Sequence, residues 1–257
     1  METGNLTIIS LIKIGILIIP ILILNKYFRI KLNKKIFYAF SRMIIQLTLV
    51  GIFLQYIFDL DSPLINTLYL LFMMTVASFS AINKCSLDWK KYVLPILLAF
   101  FLPNIVMIFY FNKFVVNLNN VFDTQYFIPI AGMLLGNSLS GIIIGVNNFY
   151  SSIKENEKKY FYVLSISANK LEALRPYFRQ AILVSNNPTL ASIETMGLVA
   201  LPGMMTGQIL GGVVPIVAIK YQIAIMIAVF IVRYFSLILA IFLTGYKAFD
   251  EYDVLIE

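Results

Sequence analysis

The side chains in this sequence that could do chemistry are few, and they stand inside long apolar runs. Arg42, with Gln46 one turn on, Glu194 and Arg233 are strongly polar groups among mostly aliphatic neighbours. A charge at the centre of a membrane helix costs roughly 2.5–3.5 kcal/mol on insertion scales, so each needs a partner or an exit. Arg42 and Glu194 lie one or two turns from the basic ends of their runs and are expected to pair, with Gln46 extending the network. Arg233 lies deepest and is expected to face a cavity and meet an anionic group, whereas Lys13 and Lys220 can reach an interface. Asn137, Ser138, Thr206 and Gln208 add uncharged polar groups at membrane depth, to bond between helices or to line a pathway. Met133, Met204 and Met205 are soft potential metal ligands, although methionine more often serves as adaptable packing.

Several chemistries are excluded. The chain has no histidine, so Gly136-Asn137-Ser138 has no imidazole base to activate its serine, and no HExxH can bind zinc. Paired membrane aspartates are missing as well. No GxxxxGK[ST] phosphate loop is present, so uphill transport would need an ATPase on another chain. The single cysteine, Cys85, cannot form an intrachain disulfide.

The elements that must position these groups follow from composition. With 60% hydrophobic and 13% charged residues over 257 positions, the chain exceeds what a soluble core can hide. Apolar runs at about 6–25, 36–58, 64–82, 92–111, 127–149, 190–212 and 217–245 each approach the ~20 residues that cross a bilayer. The expected fold is an all-α polytopic membrane bundle of about seven helices, a single transmembrane domain over 1–257. Basic residues concentrate in alternate loops: Lys26 to Lys35, Lys84 to Lys91, and Lys154 to Arg179. Lys113 stands on the opposite side beside Asp59, Asp61 and Asp123. By the positive-inside rule the amino terminus is expected outside and the carboxyl terminus, with Lys247, inside. This loop asymmetry accounts for the net charge of +7 without nucleic acid. Residues 1–5 carry only Glu2 and no positive cluster, which predicts a retained helix in place of a signal peptide.

Between the fifth and sixth runs lies a long polar loop, about 150–189, expected to be cytoplasmic. Asn169 and Glu172 have capping-box spacing at its centre. Leu171, Leu174, Tyr177 and Phe178 then fall on one stripe, with Lys170, Arg175 and Arg179 pointing away. Pro176 should bend this helix, so a short docking helix is expected, contacting a partner through Asn169, Leu171, Glu172, Leu174 and Arg175. Pushed from inside, it would rock the flanking helices.

Those flanking helices carry small-residue ridges. Gly132, Gly136 and Ser140 recur every four residues, followed by Gly141 and Gly145; Gly203, Gly207 and Gly211 do the same after Pro202. Such faces let backbones approach closely, so the two helices are expected to pack together or across a dimer axis. Pro202 is expected to break the sixth helix and free a carbonyl near residue 198.

Leu201 to Gly212 with Ala218 to Ile223, Ile128 to Met133 with Gly136-Asn137, and Arg42 with Ile44 to Leu47 and Val50-Gly51 resemble, in order, motifs of the FetB-like iron-export permeases of ABC transporters. That family also includes plant relatives involved in aluminium tolerance. The resemblance covers about 36–245. It implies a self-pairing permease subunit that binds a cytoplasmic ATP-binding-cassette subunit and exports a metal ion or its complex. It implies no cofactor and no catalytic residue, and leaves any metal ligands unknown. The chain departs from the family at Ile166-Ser167-Ala168, where a Leu-Gly-Ala turn is usual, and at Tyr162, where an acid is common. An ATP-independent secondary transporter or channel is the alternative, since broken helices with mid-membrane polar groups would also suit it.

Overall fold

A computed structural model describes residues 7–167 and 169–256; Glu2 and Ala168 lie outside them. Helices account for the regular structure among these residues, beside isolated bridges at Met196–Ala200 and Phe249–Leu255. The chain divides into two compact units, 1–60 with 210–212, and 61–209 with 213–257.

The first unit holds α1 (Ile8–Ile16), α2 (Ile19–Tyr27) and α3 (Asn33–Leu60). Thr7 caps α1, and Pro20 restarts the helix as α2 where its missing N–H is not needed. The Asn33 amide donates to the Leu22 carbonyl at 3.1 Å and so ties the start of α3 to α2. Arg42 and Gln46 lie exposed on α3, among exposed Ile44, Ile45 and Leu47.

The second unit is built on α4 (Pro63–Lys84), α5 (Trp89–Tyr110, continued by a π-helical turn, Phe111–Val115), α6 (Thr124–Glu155), α7 (Glu157–Ile166), α8 (Lys170–Thr195), α9 (Gly203–Leu210) and α10 (Pro215–Ala248). One end is acidic. There Asp61 accepts from the Thr124 N–H at 3.2 Å and from its hydroxyl at 2.5 Å. Asn66 donates to Thr124 Oγ1 and to the Phe122 carbonyl, both at 2.8 Å. The other end is basic. There Asn147 donates to the Lys84 carbonyl at 3.2 Å, and Lys247 to the Lys91 carbonyl at 3.2 Å. α6 and α10 therefore run side by side in the same direction, with Tyr126 near Tyr221 at one end and Tyr150 bonded to Thr244 at the other.

The Thr124 hydroxyl, and then its N–H, hold the Asp61 carboxyl below its ordinary 3.8. A depressed folded-state pKa gives stability that is present above the ordinary value and lost as pH falls through the lowered one. Asp61→Asn is expected to lessen the loss of stability below about pH 4. A detergent melting series against pH checks this, and identical wild-type and variant profiles would refute it.

Among the described residues, six helices are long and apolar enough to cross a membrane: Ile9–Tyr27, Asn33–Leu60, Pro63–Lys84, Trp89–Val115, Thr124–Glu155 and Pro215–Ala248. The expected span at 190–212 is not among them. α8 ends at Thr195, Gly197 turns at φ +86° with its N–H on the Ala200 carbonyl, and Pro202 precedes the eight-residue α9. Pro202 thus starts a helix and does not kink one, and its carbonyl accepts from the Thr206 N–H at 3.0 Å.

The chain nevertheless returns from the basic end to the acidic end between α7 and α10, and α8 is that return leg. Its first residue, Lys170, pairs with Asp253 at 2.6 Å at the basic end, while Ser185 bonds the Gly141 carbonyl at 2.9 Å halfway along α6. The loop expected over 150–189 is therefore mostly helix, and its second half enters the bundle. Pro176 and Pro188 do not stop α8, because Ala173, Leu174, Tyr177, Ala181, Ser185 and Asn186 are all buried along it. Packing over 26 residues outweighs the lost hydrogen bonds.

Candidate functional site

The centre of the second unit is Arg233, only 4% exposed. It lies about 27 Å along α10, level with Gly141, about 26 Å along α6, and Ser185, about 22 Å along α8. Its Nη1 donates to the Asn137 carbonyl at 3.2 Å and its Nη2 to the Ser185 carbonyl at 2.6 Å. Three helices are thus joined by one guanidinium, whose rigid fork suits two acceptors on different neighbours. Nε is buried without a hydrogen-bond partner, and Arg233 forms no ion pair among the described residues. The expectation of a cavity is corrected: Arg233 is packed and meets main-chain carbonyls.

Glycine makes that packing possible. A β carbon on Gly141 would lie 2.7 Å from Arg233 Cγ, and one on Gly145 would lie 2.3 Å from Leu237 Cδ1. The ridge of α6 therefore receives α10. Gly132 faces the tip of Met73 at 3.6 Å, while Gly136, Gly203 and Gly207 face open space. Gly211 lies just past the end of α9. Close packing of α6 on the Gly203 ridge is not how this chain fills its own core.

Polar groups at this depth mostly bond within their own helix. Asn137 donates to the Met133 carbonyl, Ser138 to that of Leu134, and Thr206 to those of Pro202 and Gly203. Gln208 Oε1 is buried without a hydrogen-bond partner. Met205 is buried; Met204 is half-buried. Glu194 is exposed on α8 in the second unit and Arg42 belongs to the first.

Sequence reading named Glu194 but missed Gln180 and Asn187 on the outer face of α8. Gln180, Asn187 and Glu194 are exposed and recur every seven residues, so they lie along one face of a helix that crosses the bundle, with exposed Leu183 and Leu190 between them. Low hydropathy hid this crossing, although polar positions at a seven-residue interval were a usable signal. A polar line at membrane depth does not face lipid; such lines border water or another protein.

At the basic end, Asn169 caps α8 by accepting from the Glu172 N–H at 3.1 Å, as its spacing predicted. Leu174 and Tyr177 are buried, whereas Leu171, Glu172 and Arg175 are exposed. Ser167, in place of a family glycine, adopts φ −87° and ψ 153°, which any residue adopts, so no glycine is needed there. The carboxyl-terminal segment clasps this corner. Tyr160 donates to the Asp253 carbonyl at 2.9 Å, and Lys170 lies 3.9 Å above the Phe249 ring. Burial, reinforced by the nearby Asp253 charge, pushes the Tyr160 phenol up to about 12.

Cys85, at the end of α4, has its thiol pushed up to about 12 by burial. Only the thiolate reacts, so maleimide at neutral pH is expected to leave Cys85 unmodified in the folded protein and to label it after unfolding. Intact-mass measurement checks this; rapid labelling of the folded form would contradict it.

Comparison with known proteins places this chain in a family of membrane proteins. The profile of the family described as "Uncharacterised protein family (UPF0014)" matches residues 8–249. "Probable iron export permease protein FetB" of Escherichia coli K12 is 30% identical over 98% of this chain and 95% of its own length. "Protein ALUMINUM SENSITIVE 3" of Arabidopsis thaliana is 33% identical over 82% of this chain and 76% of its own. "UPF0014 membrane protein YjkA" of Bacillus subtilis is 30% identical over 84% and 85%. No solved structure matches significantly.

Proposed function

The chain belongs to the UPF0014 membrane family, and on that premise we propose that it is the membrane-spanning permease subunit of an ABC-type transporter, driven by a separate ATP-binding-cassette chain. The observation that carries this reading is the continuity of α8. One 26-residue helix joins the exposed corner at Leu171, Glu172 and Arg175 to the Arg233 centre. A helix is stiff along its axis, so displacement at Lys170 reaches Ser185 and, through it, α6 and α10. The expected short coupling helix is in this view the near end of a lever, and the far end carries the polar line of Gln180, Asn187 and Glu194.

That line is the proposed wall of the cargo pathway, completed by a second copy of the chain. The small-residue ridge at Gly203, Gly207 and Gly211, with Gly132, Gly136 and Asn137, is proposed to face the same axis. Pairing of Arg42, Gln46 and Glu194 remains part of this proposal. From the basic loops, the amino terminus is proposed to lie outside and the carboxyl terminus in the cytoplasm.

Export of iron is proposed from the name of the Escherichia coli relative. The cargo is proposed to cross as a complex, or against a sparse ligand set that the second copy doubles. No cluster of three histidine, cysteine or acidic residues occurs among the described residues, and hard iron ions favour such ligands. Arg233 at the centre repels a bare cation.

The test is reconstitution of the chain in proteoliposomes with and without its ATP-binding-cassette partner. ATP-dependent transport that needs both chains is expected, together with crosslinking of a cysteine at Glu172 to the partner. Full-rate transport by the chain alone would overturn the reading in favour of an ATP-independent transporter. Asn187→Leu is expected to abolish most transport while leaving ATP hydrolysis by the assembled complex intact, because the position is exposed on the outer face of α8.

A further inference from the structure

At the basic end of the second unit, α6, the start of α8, the end of α10 and the carboxyl-terminal segment enclose a groove of about 660 Å³. Its floor is apolar, with Phe149, Leu174, Phe178, Phe242 and Phe249, and Lys170, Arg175 and Asp250 stand in its wall. We propose that this groove binds an anionic phospholipid, with an acyl chain along α10 and the headgroup phosphate on Arg175.

Depth argues for a lipid. Phe242 lies about 13 Å and Tyr246 about 20 Å beyond Arg233 along α10. With Arg233 at the bundle centre, these positions bracket the edge of a hydrocarbon half-layer about 15 Å thick. A segment of a water-soluble partner would have to enter hydrocarbon to reach Phe242, whereas an acyl chain is already there. Tyr246, 89% exposed, has the amphipathic ring that favours the headgroup level.

Charge argues for an anionic headgroup. Lys170 is matched by Asp253 at 2.6 Å, and the Asp250 carboxylate accepts from the N–H groups of Tyr252 and Val254 at 2.9 and 2.8 Å. Arg175 lines the groove, is exposed, and forms no ion pair among the described residues. A guanidinium grips a phosphate through two parallel N–H groups, which an ammonium cannot do. The bound lipid would touch the near end of the α8 lever, so membrane composition would bear on its position. The inference requires only that the chain sit in a membrane and does not depend on the ATPase partner.

The full-length protein, purified in mild detergent, is offered equal phosphatidylglycerol and phosphatidylcholine and examined by native mass spectrometry. Wild type is expected to retain phosphatidylglycerol in preference. Removing one charge near the surface changes such a preference about five-fold, so Arg175→Ala should lose that much, Arg175→Glu more, and Arg175→Lys least. Gly245 lines the groove and its missing β carbon faces open space, so Gly245→Phe should fill the floor and lower retention without lowering the melting temperature. Equal retention of both lipids by wild type overturns the proposal. So does phosphatidylglycerol binding that ignores both Arg175→Glu and Gly245→Phe, which is the behaviour of lipid spread over the whole surface. Crosslinking of a protein partner at Phe242, with no lipid retained, assigns the groove to that partner and overturns it as well.

Discussion

Gly145→Leu is expected to prevent assembly of the second unit. A β carbon alone at this position would lie 2.3 Å from Leu237 Cδ1, 2.7 Å from Cδ2 and 3.0 Å from Cγ. Leu237 is fully buried and has nowhere to swing. The two helices must therefore separate, and separation draws Arg233 away from its acceptors on α6 and α8, at 3.2 and 2.6 Å. Overpacking of a buried position costs about 1–3 kcal/mol before that secondary loss is added. Gly245→Ala is the control of opposite sign. Its β carbon meets nothing within 4 Å, so the better helix propensity of alanine should stabilise by up to about 1 kcal/mol. Melting temperatures by fluorescence-detected size exclusion separate the two. A Gly145→Leu protein that melts like wild type would disprove the packing account, and recovery on adding Leu237→Ala would locate the fault at that one contact.

The second large effect is at Arg233. Arg233→Glu places a carboxylate against the carbonyls of Asn137 and Ser185, where it meets two acceptors and no donor, in an interior that excludes water. Leaving a buried neutral group unsatisfied costs about 1–3 kcal/mol and a charge more, so the variant should fail to accumulate as a monodisperse protein. Arg233→Lys keeps the charge but offers one ammonium in place of a fork. It should hold one of the two carbonyls and lose roughly 1.5–3 kcal/mol, the worth of one charge-assisted bond. Arg233→Met is the informative third case. It forfeits both bonds but also relieves the roughly 2.5–3.5 kcal/mol cost of a charge at the helix centre, so its stability should lie close to that of the lysine variant. Function should part the two, because only lysine preserves a positive centre. Arg233→Glu that expresses and melts normally would show that the three-helix bond carries no weight.

The contrast between these two sites bears on what holds the bundle together. Hydrocarbon is as apolar as leucine, so burying leucine there gains little, and close approach and hydrogen bonding decide which helices meet. Gly141 and Gly145 supply the approach, and the Arg233 fork supplies the bonds. The same reasoning explains why Asn66, Thr124 and Asp61 gather at one end, where water begins and helix termini need partners.

Much was legible in the residues themselves. Membrane location, the all-α class, the basic ends of the helices, the Asn169 cap and the depth of Arg233 follow from composition, run length and local spacing, because these depend on the solvent around each helix and on neighbours within one turn. The tertiary structure decided what those signals could not reach. It made α8 the return leg in place of an apolar run at 190–212, since a helix shielded by α6 and α10 needs no high hydropathy of its own. It carried that helix through Pro176 and Pro188, since contacts from distant segments outweigh a local penalty. It also chose Gly141 and Gly145 over Gly203 and Gly207 for the tight contact, a choice set by which helix lies opposite and thus invisible in spacing alone.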